Sequence, residues 1–195
     1  MKLTTEQRKQ LIKVYPYLQP RNVWTGKISE DYDYSYIRGE HELPDGWLRL
    51  FLLYCKNLRP ILVETELLDK FRFSQLKEKY GRMCLYNFGI PRSSGADILT
   101  MMYESYSQDI CHVCGKQARY ESKGWIEPWC EECIDKCPYQ YYKIYKRSQM
   151  SIETWNREKE STEQIYYSFR KLAREYKKCL AMSEDEFYNY IITVY

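Results

Sequence analysis

Two cysteine pairs constrain this chain more than any other feature. Cys111-His-Val-Cys114 is followed, fifteen residues later, by Cys130-Glu-Glu-Cys133. A two-residue spacer lets one tight turn aim two sulfurs at a common point. Two such turns complete a tetrahedral four-thiolate zinc site with metal–sulfur distances of about 2.3 Å. Gly115 comes directly after the second cysteine, where a knuckle turn favours positive φ. From Ala118 to Pro128 the chain reads as short strand, Lys-Gly turn, short strand. No breaker follows Cys130 until Pro138, so the second pair is expected to open a short helix whose N-terminal dipole favours thiolates.

A four-thiolate set leaves no coordination position for water or substrate. The expected cofactor is therefore one structural Zn2+ per chain, held by Cys111, Cys114, Cys130 and Cys133. With that set complete, neither His112 nor Cys137 is expected to bind metal. Knuckle, hairpin and helix together resemble a treble-clef or zinc-ribbon module. Of the eight cysteines, Cys55, Cys84, Cys137 and Cys179 remain as free thiols, which fits a reducing compartment. The first residues are polar and charged, and no stretch reaches the ~18 apolar residues of a membrane span. A cytoplasmic protein of a bacterial host cell, with no membrane partner, is the expectation.

The remaining pattern is that of an α+β protein. Thr4 or Thr5 can cap a first helix that ends at Pro16. Residues 20–45 look irregular, except that Asp31-Tyr-Asp-Tyr-Ser-Tyr36 alternates and predicts a short strand with three rings on one face. Asp45 is expected to cap a strong helix carrying Trp47, Leu50, Phe51, Tyr54 and Leu58, ended or kinked by Pro60 near Leu58. Residues 71–77 and 82–87 flank Gly81 as a β-hairpin. A third helix, with Ile98, Leu99, Met102 and Tyr106 inward, delivers the chain to Cys111.

Past Pro138 the composition shifts. Residues 138–180 hold ten basic and five acidic residues, against a whole-chain net charge of +3. A helix from about Ser151 has an apolar stripe of Ile165, Phe169, Leu172, Tyr176 and Cys179 within a basic surround. Ser183-Glu-Asp-Glu186 is a capping box for a last helix. The predicted organisation is a small mixed helix and β-hairpin core over 1–108, a four-cysteine zinc module over 109–137, and a helical C-terminal extension over 138–195.

The chain also resembles an uncharacterised family found in phages, prophages and other bacterial mobile elements. The features that carry the likeness are Tyr15-Pro16, Trp24, Asp45-Gly46-Trp47 with Cys55 behind it, and Gln75-Leu-Lys-Glu-Lys-Tyr-Gly81 with Tyr86. Cys111-x2-Cys114-Gly115, Gly124-Trp125 and Cys130-x2-Cys133 complete it. It spans roughly residues 14–137. Arg82-Met-Cys-Leu stands where such proteins often carry Gly-Leu-Arg. The resemblance implies a mobile-element context and no known activity.

Function is read from what the chain lacks and what it displays. It has no phosphate-binding glycine loop, no His-Glu-x-x-His, and only two histidines for acid–base work. A non-enzymatic role is expected. Twenty-one tyrosines supply rigid amphipathic contact area. The first reading is a zinc-stabilised accessory protein that binds a host or phage protein, in the manner of an inhibitor of a host factor or defence system. Its contact residues would be Tyr32, Tyr34, Tyr36, Tyr139, Tyr141, Tyr142, Lys143, Lys146 and Arg147. The alternative is a nucleic-acid binder using the basic, Tyr-rich C-terminal region.

Overall fold

A 17-residue helix, Leu48–Glu64 (α2), is the axle of the fold, and nine of its residues are buried. In this computed structural model, residues 1–92, 94–144 and 162–193 are described, those of 162–167 by their backbone alone. Thr4 opens α1 (Thr5–Val14) with a capping box: its hydroxyl accepts from Gln7 N–H while the Gln7 side chain accepts from Thr4 N–H. Pro16–Leu18 forms a 3-10 turn. The hairpin pairs β1 (Arg72–Lys79) with β2 (Arg82–Phe88), antiparallel, with a bulge at Ser74 that shifts the register between Phe73 and Gln75. Tyr80 and Gly81 both take positive φ at the turn, as a two-residue hairpin connection requires. α3 (Gly95–Ser107) lies along the free edge of β2, where Ser107 Oγ accepts from Met83 N–H at 2.8 Å and Glu104 accepts from Leu85 N–H at 2.7 Å.

A second, three-stranded sheet, ordered β4-β3-β5, consists of β3 (Tyr120–Ser122), β4 (Pro128–Trp129) and β5 (Tyr141–Lys143). The chain ends in α4 (Thr162–Ala181) and α5 (Glu184–Ile192), the latter opened by the Ser183–Glu186 capping box. Helices and small antiparallel sheets together make the α+β architecture that the sequence predicts.

The main core is continuous across the composition change at Pro138. Leu172, Tyr176 and Cys179 of α4 and Phe187, Tyr188 and Ile191 of α5 belong to the same buried cluster as Trp47, Phe51 and Leu58 of the N-terminal half. Tyr15 of α1's C-cap donates to the carbonyl of Ile191, and Arg49 donates to the carbonyls of Cys179 and Met182. The basic side of α4, Arg170, Lys171, Arg174, Lys177 and Lys178, faces water. Ile165 lies among the residues whose side chains are outside the described set.

Four local expectations are corrected. α2 runs through Pro60 to Glu64. The proline forfeits one backbone bond, and the complete burial of Leu58 and Leu62 on either side offsets that cost. Asp45 does not cap α2: Asp45–Trp47 is a 3-10 turn without a side-chain cap bond. Residues 31–36 form no strand. Asp33 Oδ1 accepts from Ser35 N–H at 2.9 Å and Tyr34 takes φ +66°, so a local side-chain bond wins over extension. The innermost face of α3 is Ala96, Thr100, Tyr103 and Ser107, with Leu99, Met102 and Tyr106 packed at its margin.

Phe169 is 9% exposed and meets Tyr106 edge-on at 5.6 Å between ring centroids. Phe169→Ala should cost about 3 kcal/mol in a urea or guanidinium unfolding experiment. A loss below about 1 kcal/mol would show that α4 does not dock through this ring.

Candidate metal centre

Two backbone turns bring the four thiols together. Gly115 N–H donates to Cys111 carbonyl at 3.0 Å with φ +79° at Gly115, closing the first knuckle. Cys133 and Ile134 N–H both donate to the Cys130 carbonyl, closing the second. Between them, β3 and β4 pair Tyr120 with Trp129 and return the chain past a turn at Gly124, φ +83°. The second knuckle continues into the expected short helix, a single 3-10 turn, Ile134–Lys136. Pro138 follows too soon for a second helical turn.

The sulfurs of Cys111, Cys114, Cys130 and Cys133 lie within 4.8 Å of one another, and Cys114 and Cys130 approach to 3.5 Å. A tetrahedral zinc–thiolate site has sulfur–sulfur edges of about 3.8 Å. The set therefore fits one ion and can hold a metal. Cys111, Cys130 and Cys133 are buried and Cys114 is exposed. Burial pushes the Cys111 thiol up to about 11 and raises Cys133 too. Cys130 is buried as well, but thiol hydrogen bonds from Cys114 and Cys133 draw it down. Thiols this close resist joint ionisation unless a cation sits among them.

The two competitors stay outside the cluster. The His112 ring packs edge-on against Trp129 at 4.4 Å. Burial pushes its imidazole down to about 4, so it is neutral at pH 7. Cys137 turns its thiol to the Tyr139 carbonyl. Lys116 spans the two knuckles instead, its ammonium 2.5 Å from Glu132 and close enough to Cys114 and Cys130 to feel their charge.

The module is clamped to the core through backbone atoms. Gly46 N–H donates to the His112 carbonyl at 2.9 Å, and the Trp47 indole donates to the Ile110 carbonyl at 2.9 Å. A Cβ on Gly46 would lie 2.3 Å from the Cys111 carbonyl oxygen and 2.7 Å from Gly115 N. On the other side, the Tyr176 hydroxyl of α4 donates to the Gly115 carbonyl at 2.9 Å. The Asp-Gly-Trp run is thus the socket of the first knuckle. Tyr176 is a supporting residue that sequence reading placed only in an apolar stripe. A cleft of about 550 Å³ opens beside the knuckle, bordered by Arg8, Glu40, Asp45, Arg49, Cys114 and Tyr176. Its arginines are committed, Arg8 to Glu40 at 2.6 Å and Arg49 to the carbonyls of Cys179 and Met182.

The tyrosines expected to contact a partner fall into two groups. Tyr32, Tyr34 and Tyr36 are half-buried and pack on each other, with ring centroids 4.9 Å (Tyr32–Tyr34) and 6.3 Å (Tyr32–Tyr36) apart. Tyr139, Tyr141, Tyr142 and Lys143 are exposed on or beside β5. Lys146 and Arg147 lie outside the described residues. No helix among the described residues is long and apolar enough to cross a membrane. Comparison with protein-family models, with curated proteins and with solved structures finds no match to this chain.

Gly46→Ala should lower the unfolding free energy by at least about 2 kcal/mol and weaken metal retention, because the added methyl meets backbone that cannot rotate away. Thermal melts and metal competition would measure both. An unperturbed variant would show that the knuckle does not seat on this glycine.

Proposed function

We propose that the four thiolates hold one Zn2+ as a closed structural centre and that the chain works by binding a protein partner. The single observation that carries this reading is β5. Among the described residues it is an edge strand whose side chains are all exposed, standing on the metal module rather than on the main core. Ile144 N–H and the Gln140 carbonyl point to the β3 side, so alternation turns the backbone groups of Tyr141 and Lys143 away from it. A partner strand can add there through main-chain bonds, with tyrosine rings supplying side-chain contact. Tyr141 is already held edge-on by Tyr120 at 5.6 Å, which lowers the ordering cost on binding.

The scaffold role of the metal is supported by the donor set. Thiolate is a soft ligand that suits zinc, and four of them fill a tetrahedron. Neither histidine stands at the thiolate cluster as a proton shuttle: His112 is wedged against Trp129 and His41 is an exposed loop residue beside Tyr36. The role is accordingly read as non-enzymatic. The mobile-element resemblance gives the partner its class, a host or phage protein, and makes inhibition of a host factor or defence system the form of action to look for.

Native mass spectrometry should find one zinc per chain. Cys111→Ser should lose the metal and much of the stability, while Cys137→Ser should keep both. Chains with no metal, or with two, would overturn the centre. For the binding role, Tyr141→Ala combined with Lys143→Glu should lower affinity for a captured host or phage protein at least about tenfold, with zinc content and melting temperature unchanged. Unchanged affinity would remove β5 as the contact.

A further inference from the structure

The outward face of the β1–β2 hairpin combines exposed aromatic rings with basic groups, and its two strands place no carboxylate on it. Register sets this out. Gln75 stands opposite Tyr86, Lys77 opposite Cys84, and Lys79 opposite Arg82. The inward partners, Leu76, Met83 and Leu85, are buried. The one acid within the strands, Glu78, points off this face and accepts from Gly81 N–H at 2.7 Å.

Two rings on β2 are left open, Tyr86 at 44% and Phe88 at 45% exposure. Each has a cation beside its face, Lys77 at 5.0 Å from the Tyr86 centroid and Arg72 at 5.3 Å from that of Phe88. Arg82 is neutralised by Glu104 at 2.6 Å, so the uncompensated cations among the described residues of this face are Arg72, Lys77 and Lys79. Beyond Phe88, the 22–26 loop abuts Arg72: a Cβ on Gly26 would lie 3.1 Å from its Nη1. That loop presents Trp24, 88% exposed, above an Asx turn in which Asn22 Oδ1 accepts from Trp24 and Thr25 N–H.

We infer that this face binds single-stranded nucleic acid, with bases stacked on Tyr86 and Phe88 and phosphates met by Arg72, Lys77 and Lys79. Residues two apart on a strand are about 6.8 Å apart. That is about twice the ~3.4 Å step of a stacked strand. Bases seated on both rings must therefore be splayed from one another, which a single strand permits and a duplex does not. Stacking needs only a π-face, so the surface would tolerate any sequence. The surface is separate from β5, so the protein-binding reading and this one fail independently.

The test is fluorescence anisotropy of full-length, metal-loaded protein with labelled dodecamers of thymidylate, of uridylate, and of a mixed-sequence duplex. The single strands should bind more tightly than the duplex, and the thymidylate and uridylate arms tell DNA from RNA preference. Three phosphate contacts give a slope of log affinity against log salt of about −2, and Lys77→Gln should make it shallower by about 0.7. Tyr86→Ala with Phe88→Ala should weaken binding at least about tenfold. Both rings lie outside the core, and zinc content and melting temperature serve as controls. Substituting Tyr141 and Lys143 should leave this binding intact. Binding that ignores the ring substitutions, prefers duplex, or is absent at low salt would overturn the proposal.

Discussion

The whole arrangement depends on a close approach of two backbones, Gly46 against the Cys111–Gly115 knuckle. No side chain fits in that gap, since a Cβ on Gly46 would sit 2.3 Å from a carbonyl oxygen. The approach is held by a backbone bond from Gly46 to His112, an indole bond from Trp47 to Ile110, and a hydroxyl bond from Tyr176 to Gly115. The three donors come from both ends of the chain. The metal module is therefore the piece on which the N-terminal helical half and the C-terminal helices both close.

This dependence explains why the module needs little core of its own. Its private cluster is Trp129, Ile134 and three of the ligand cysteines. Such a cluster is too small to offset the ordering entropy of roughly thirty residues. A metal held by the four thiolates would supply what the apolar area does not, alongside docking to Gly46 and Tyr176. With stability held on the core-facing side, β5 and the hairpin's outer face can stay exposed.

Features with local causes were legible in the sequence. A threonine cap on the first helix, the capping box at Ser183, the hairpin closed at Gly81 and the thiolate cluster all follow from short-range spacing. Features decided by distant neighbours were not. Pro60 reads as a helix end, yet buried leucines carry α2 past it. Asp31–Tyr36 reads as a strand, yet the Asp33 carboxylate accepts from Ser35 N–H and the rings of Tyr32, Tyr34 and Tyr36 gather together. Tyr176 reads as one more apolar stripe residue, because nothing in α4 reveals that its hydroxyl meets a carbonyl sixty-one residues away. Asp-Gly-Trp reads as a helix start, because nothing nearby in the chain reveals that Gly46 and Trp47 seat the first knuckle.

Coupling between metal binding and closure of the fold can be measured at two protons. Hydrogen exchange followed by NMR would report the Gly46 amide and the Trp47 indole, donors to His112 and Ile110. With metal bound, both should be among the better-protected protons of the chain. After chelation, both should exchange faster by orders of magnitude, while amides in the middle of α2 lose far less of their protection. If the two protons keep their protection once the metal is gone, the knuckle seats without its ion and the fold does not depend on the metal for its closure.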